Sequence, residues 1–220
     1  QGKVLELACG SGRILMHLAN RGFHVVGLDL SEDMLTICRK KQEQLPARFR
    51  ERIEVQQGDM TQFELGEKYP LIILSATSIS LLQKREDLER LLYTVSEHLE
   101  EGGRFIFDYV LSNQQHNQSL RGGRVNGITL NIGADHKQFV LMGEDENLEA
   151  QSAVMNFYAE VIHQGDTQRF FGSTTKKFFA EEDIMDCIQA SILQIVGTQT
   201  YQIEGEGNVR CLILEKGVVS

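Results

Sequence analysis

Tryptophan is absent from the 220 residues, and there are only two prolines. A Pro-rich spacer between modules is therefore excluded. No apolar run approaches the ~18 residues of a membrane-spanning helix, so no membrane partner is expected. Basic residues are in deficit: 22 Lys and Arg stand against 31 Asp and Glu, for a net charge of −9. Broad binding to nucleic-acid phosphates is not expected of such a surface. The four cysteines (Cys9, Cys38, Cys187, Cys211) form no C-x-x-C pair and no metal-ligand spacing with the six histidines. They read as reduced, mostly buried thiols, and the expected location is the cytoplasm. Gln1-Gly2-Lys3 leads straight into an apolar strand, without the pattern of a secretory leader.

What is present is ordinary globular material: 41% hydrophobic and 24% charged residues. A chain of this length buries ~70% of its unfolded surface and needs no staples. Residues 3–110 alternate strand and helix. Val4–Ala8, Phe23–Leu28, Ile53–Val55, Leu71–Leu74 and Arg104–Tyr109 read as buried strands. Ile14, Leu15, Leu18 and Ala19 share one helical face between the first two. Ser31 is a good N-cap for a second helix with Met34, Leu35 and Cys38 inward, and Pro46 ends it. Leu88, Leu91, Leu92, Val95 and Leu99 stripe a longer helix, and Gly102-Gly103 turns into the fifth strand. Strands apolar on both faces, separated by helices, imply a parallel sheet covered on both sides.

From Gly123 to about Phe179 the pattern changes to β-type runs without helices: 125–132, 138–143, 153–163 and 169–178. A helix over 181–193 and strands over 194–202 and 208–216 close the chain. The fold class is α/β: a Rossmann-like, seven-stranded, mostly parallel sheet with helices on both faces, plus an inserted antiparallel β-sheet. Residues 1–122 and 180–220 form the main domain. The insertion, 123–179, is expected to roof a pocket or to pair two subunits into a homodimer, which would account for its exposed β face.

The sharpest local signal is Glu6-Leu7-Ala8-Cys9-Gly10-Ser11-Gly12-Arg13, between the first strand and the first helix. A Gly-rich turn there lets a ligand approach the backbone at a helix N-terminus. Leu15 stands where a dinucleotide fingerprint needs its third glycine, and no Lys-Ser/Thr follows for a triphosphate. Glu6, four residues before Gly10, would repel a phosphate and attract a cation. A ligand with an ammonium, a sulfonium and a ribose but no phosphate fits, and S-adenosylmethionine (SAM) is such a ligand. Asp29, ending the second strand, is placed for both ribose hydroxyls. Asp59 in Gly58-Asp59-Met60 is placed for the adenine amino group, with Met60 and Met34 as apolar walls.

These segments resemble the class I SAM-dependent methyltransferases. Leu5–Arg13 is similar to the family's first motif, Gly27-Leu28-Asp29-Leu30-Ser31 to its ribose motif, and Gly58-Asp59-Met60 to its adenine motif. Leu99–Phe105 resembles its "L-x-P-G-G" turn, with Glu101 where Pro is usual. The resemblance implies a cytoplasmic enzyme that converts SAM to S-adenosyl-L-homocysteine. It implies a cofactor site of Glu6, Ala8, Gly10, Ser11, Gly12, Arg13, Asp29, Leu30, Met34, Asp59, Met60, Ser75 and Ala76. Family members usually carry helices before the first strand that cover the cofactor. Acceptor-side residues from such a cap lie outside this sequence.

Leu74-Ser75-Ala76-Thr77-Ser78-Ile79-Ser80-Leu81-Leu82 resembles the small-residue loop of amine methyltransferases from peptide natural-product pathways. These include enzymes acting on glycopeptide antibiotics and on the terminal amine of ribosomally made peptides. Their β-rich insert is similar in position to 123–179. The expected acceptor is thus an amine of a small molecule or peptide. Thr77, Ser78, Ser80, Asp108, Tyr109 and His116 are the candidate substrate residues, and no catalytic base is evident. The loop lacks the Asp/Asn-Pro-Pro-aromatic pattern of base methylases, in line with the charge. Asp108 is alone at the fifth strand, so no metal is expected. Two other readings stand beside this one: an O-methyltransferase of a small metabolite, and a SAM-binding protein without turnover.

Overall fold

The computed structural model describes residues 2–111, 124–133, 136–147, 151–203 and 207–217. In chain order the strands are β1 (Lys3–Leu7), β2 (His24–Asp29), β3 (Ile53–Gln57), β4 (Tyr69–Leu74), β5 (Leu99–Val110), β6 (Arg124–Gly133), β7 (His136–Asn147), β8 (Ser152–His163), β9 (Asp166–Lys177), β10 (Leu193–Ile203) and β11 (Gly207–Lys216). The helices are α1 (Arg13–Asn20), α2 (Glu32–Glu43), α3 (Ala47–Arg50), α4 (Arg85–His98) and α5 (Glu181–Gln189). The chain divides into two units: Gln1–Leu111 with Ala180–Ser220, and Ser112–Phe179.

The first unit is a seven-stranded sheet in the order β10-β11-β5-β4-β1-β2-β3. β1 to β5 pair in parallel, and β11 runs antiparallel to both β5 and β10. Val4, Leu5 and Leu7 are buried because β1 is central, with β2 on one side and β4 on the other. The chain proceeds from β1 outward to β2 and β3, then returns to lay down β4 and β5 on the opposite side. That reversal opens a crevice at the C-terminal ends of β1 and β4, where open α/β sheets take ligands. Gly27 lets α1 come down close on the sheet. A Cβ there would lie 2.4 Å from Leu15 Cδ1 and 2.8 Å from Cys9 Sγ.

Several elements differ from expectation. Leu35 and Cys38 form the inner face of α2, but Met34 is 45% exposed. It stands in the first turn of the helix beside the buried Leu35, at the margin of the inner stripe, and Ser31 Oγ accepts its N–H at 3.3 Å. Gly102 and Gly103 lie within a longer β5 as an irregularity, not before it. Tyr69 pairs with Leu99 and Leu71 with Arg104, and Gly102 has φ +72°. α5 stops at Gln189 because Ser191 turns the chain, donating to the Ile188 carbonyl (2.7 Å) and accepting the Leu193 N–H (3.1 Å). Pro46 ends α2 as expected and also starts the short α3, its carbonyl accepting from Phe49 and Arg50.

The second unit is an antiparallel sheet in the order β6-β7-β8-β9. The hairpin between β8 and β9 turns on Gln164 (φ +50°) and Gly165 (φ +87°), two left-handed residues that match the twist of the flanking strands. On one face Tyr158 packs against Phe139 and Phe171, with ring centroids 6.2 and 5.0 Å away. Glu160 accepts from both Tyr158 Oη (2.8 Å) and Arg169 Nε (2.9 Å). No helix among the described residues is long and apolar enough to cross a membrane.

Candidate active site

The loop after β1 is built from residues that leave the ordinary backbone regions. Ala8 (φ +51°), Gly10 (φ +54°) and Gly12 (φ +77°) are all left-handed. For Ala8 this costs ~1–2 kcal/mol, a strain found where a site is held in one shape. Cys9 N–H donates to the Leu28 carbonyl and Gly12 N–H to the Cys9 carbonyl, both at 3.0 Å. Gly12 must be glycine twice over, because a Cβ would lie 2.4 Å from Cys38 Sγ. At Gly10 no atom lies within 4 Å of where a Cβ would be, so a ligand can approach the backbone.

Asp29 locks this loop to the end of β2. Its Oδ2 accepts the Gly10 N–H at 2.6 Å and its Oδ1 the Ser31 N–H at 2.8 Å. Each carboxylate oxygen has a second lone pair for a ligand hydroxyl. Ser11 is tethered from α2, where Lys41 Nζ donates to its Oγ (2.7 Å) and its carbonyl (3.2 Å). Arg13 is exposed at the start of α1, and Leu30 is 68% exposed beside Asp29.

Glu6 lies behind the loop, opposite Gly27 and Ile73 in the sheet register, and is 3% exposed. Its Oε2 has no hydrogen-bond partner among the described residues. Burial pushes its carboxyl up to about 8, and the charge of Asp29 adds to the rise. A backbone hydrogen bond at Leu15 and the charge of Arg13 oppose it. A buried carboxyl with an orphan oxygen is expensive unless a partner arrives. That partner would be cationic or a strong donor. Burial also pushes up the neighbouring Cys9 and Cys38 thiols, which keeps them protonated and inert.

Asp59 follows β3. Its Oδ1 accepts both the N–H and the Oγ1–H of Thr61, each at 2.8 Å, and Met60 beside it is half-buried. The loop after β4 carries two consecutive left-handed residues, Ala76 (φ +57°) and Thr77 (φ +56°). The Ser75 carbonyl accepts from Ser78 N–H (3.2 Å) and Ser78 Oγ (2.7 Å), and Ser80 N–H donates to the Thr77 carbonyl (2.9 Å). Ala76 is exposed, Ser75 and Ser78 are half-buried, and Thr77 and Ser80 are buried.

Asp108 is 9% exposed, and both of its oxygens are engaged. Oδ1 accepts the Thr77 N–H at 2.6 Å, and Oδ2 accepts from Tyr201 Oη at 2.9 Å. Tyr109 is buried on the other side of β5, in line with Phe105 and Phe107, with its hydroxyl 3.5 Å from Glu181. Glu181 is also the ion-pair partner of Arg210. His116 lies outside the described residues. Among those residues no cluster of three His, Cys, Asp or Glu side chains is placed to hold a metal.

The structure thus brings Glu6, the 8–12 loop, Asp29 and the 75–80 loop to the ends of adjacent strands, with Asp59 at the end of β3 beyond β2. Lys41, Thr61 and Tyr201 were not read from the sequence. Lys41 could have been: it lies one turn beyond Cys38 on α2, and Cys38 packs under Gly12. Tyr201 gave no local signal.

Residues 4–103 match the family described as "Methyltransferase domain". Over 100 residues the chain is 38% identical to a dTDP-3-amino-3,4,6-trideoxy-alpha-D-glucopyranose N,N-dimethyltransferase of Streptomyces venezuelae, a match covering 46% of this chain and 39% of that protein. Over 142 residues it is 27% identical to a cypemycin N-terminal methyltransferase of Streptomyces sp, covering 64% and 54%. The match thus spans between about two fifths and about half of these relatives. An S-adenosylmethionine-dependent methyltransferase from Clostridium acetobutylicum superposes with a TM-score of 0.75 at 22% identity, over 98% of this chain and 84% of that one. The parallel core, the crevice at its strand ends and the matched segment agree: residues 4–103 are similar to a methyltransferase domain, and the chain shares the fold of these methyltransferases.

Proposed function

We propose that the chain is a SAM-dependent N-methyltransferase whose acceptor is an amine of a small molecule or peptide. The observation that carries this reading is Glu6 Oε2, a carboxyl oxygen buried under a glycine loop without a partner among the described residues. It suits the ammonium of SAM and would oppose a phosphate. The residues around it suit the rest of the cofactor. Asp29, held by two backbone N–H groups, offers its remaining lone pairs to the ribose hydroxyls. Thr61 fixes the Asp59 carboxylate, which is assigned to the adenine amino group. Leu30 and Met34, exposed and apolar, are suited to cover the ribose and adenine.

Bound SAM supplies a methyl group on a sulfonium, already activated for in-line displacement. The protein is left to align the acceptor and keep water out. The 75–80 loop offers hydroxyls and backbone groups, and the Asp108 carboxylate behind it is turned to the Thr77 N–H and the Tyr201 hydroxyl. Displacement at the sulfonium needs the nitrogen lone pair, so the acceptor reacts as the neutral amine and its proton goes to solvent. The relatives named above are, by their names, methyltransferases of an aminosugar and of a peptide N-terminus, and both acceptors are amines. The four cysteines are free, which suits a reducing cytoplasm.

The test begins with calorimetric titration of SAM. A mass-shift screen then offers aminosugars, short peptides and hydroxylated metabolites. Amine acceptors should gain methyl groups, at a rate that rises with pH through the acceptor's pKa (~8–10). Methylation confined to hydroxyls, with a rate flat from about pH 6 to 9 across that range, would replace this reading with O-methylation.

A further inference from the structure

We propose that Asp108 is the positioning residue of the acceptor side. Braced by Tyr201, its carboxylate holds the 75–80 loop in the one shape that presents it to the incoming amine. This rests on the methyltransferase reading above.

The argument starts from the backbone. Single left-handed residues are common at turns. Two in succession that both carry side chains, one of them β-branched, are costly and do not persist unsupported. Ala76 and Thr77 are such a pair. The support is the Thr77 N–H, donated to Asp108 Oδ1 at 2.6 Å. Both groups are almost out of water, Thr77 at 3% exposure, so water does not compete for this bond.

A carboxylate on one strand can rotate away unless its second oxygen is also held. Tyr201 Oη holds it at 2.9 Å. The tyrosine reaches from β10 past β11 to β5: Asp108 pairs with Cys211, and Cys211 with Gln199, two residues before Tyr201. Neither Asp108 nor Tyr201 lies in the 4–103 segment that matches the methyltransferase domain. The C-terminal hairpin therefore sets the shape of a loop that begins more than a hundred residues earlier. Asp108 touches no reacting atom in this scheme. Buried and turned to Thr77 and Tyr201, it acts through the Thr77 amide, and not as a base.

The test uses the full chain and three variants: Asp108→Ala, Tyr201→Phe and Asp108→Asn. The first readout is amide hydrogen exchange at Thr77 without ligand, which does not depend on any activity. Exchange should accelerate strongly in Asp108→Ala and less in Tyr201→Phe. The second is steady-state kinetics with an amine acceptor. Misplacement by ~1 Å can cost ~10²-fold, so kcat should fall roughly ten- to a hundred-fold in Asp108→Ala. SAM affinity, carried by Glu6, Asp29 and Asp59, should stay near the wild-type value. Asp108→Asn keeps an oxygen for Thr77 and an amide that can donate to Tyr201, so it should recover most of kcat.

Tyr201→Phe, a change on an edge strand, keeps the test valid if Asp108→Ala does not fold. Unchanged Thr77 exchange in the variants that fold would overturn the clamp. Faster exchange with undiminished kcat would overturn the positioning role. A wild-type protein that binds SAM but methylates no amine would sink the function above, and the exchange data would still decide the clamp.

Discussion

The two sides of the crevice are built from the same kinds of residue and use them in opposite ways. On the β1–β2 side the carboxylates keep unspent capacity. Among the described residues Glu6 has an oxygen with no partner, and Asp29 is held by two backbone N–H groups. On the β4–β5 side the carboxylate is a buried brace, because Asp108 accepts from Thr77 with one oxygen and from Tyr201 with the other. Both sides carry left-handed, non-glycine backbone, at Ala8 on one and at Ala76 and Thr77 on the other. One side is arranged to meet charge, and the other to keep a shape. A cofactor with fixed charges needs the first. An acceptor that must arrive neutral is better served by the second.

The comparison breaks most visibly at Asp29. On the proposed reading, replacement by alanine removes charge-assisted contacts to the ribose, and it also frees Gly10 and Ser31. SAM binding should weaken by about 3 kcal/mol, roughly a hundred-fold. Calorimetry showing unchanged affinity would remove Asp29 from the ribose.

Glu6 should give a smaller effect with a pH signature. In the ligand-free protein its carboxyl is raised from 4.5 to about 8, so the native state holds a proton that the unfolded chain has released. Native stability should therefore fall as pH rises across that window, by at most ~1.4 kcal/mol per pH unit. Binding an ammonium demands the carboxylate. SAM affinity should accordingly rise between about pH 6 and 7.5, by up to ~ten-fold per unit. Glu6→Gln should weaken binding by about 2 kcal/mol and flatten both profiles. Parallel slopes in wild type and variant would show that another group titrates.

The smallest effect sharpens the contrast from the other side. Ser78→Ala removes the 2.7 Å bond to the Ser75 carbonyl and should cost ~0.5–1.5 kcal/mol in acceptor kcat/KM, with SAM affinity unchanged. A loss of SAM affinity equal to the loss in kcat/KM would merge the two sides into one.

How much of this was legible in the sequence follows the same division. The cofactor side is written in short contiguous segments, because a strand end and the turn after it place Glu6, Gly10 and Asp29 with little help from the rest of the chain. The parallel core was legible too, since buried strands and amphipathic helices carry their own periods. Met34 was assigned inward by that period, which does not register that it falls at the margin of the stripe formed by Leu35 and Cys38. The acceptor side depends on the register of β5, β11 and β10, and no local pattern encodes a tyrosine on one strand reaching a carboxylate two strands away. Asp108 was therefore noticed as a strand-end residue, while its two partners were not.

The placement of Tyr201 has a consequence for the order in which the protein is made. Synthesis runs from the N-terminal side to the C-terminal side, and domains begin to assemble as they emerge. Glu6, the glycine loop, Asp29 and Asp59 have all been added by residue 61, and the strands that carry them pair among themselves. The brace on Asp108 must wait until β10 and β11 are made and have turned back beside β5. A nascent chain released from the ribosome up to residue 111 would hold the charged half of the crevice with the loop after β4 still unbraced. The later β10 and β11 would then bring that loop to its working shape, so the order of translation separates capture of the cofactor from readiness to use it.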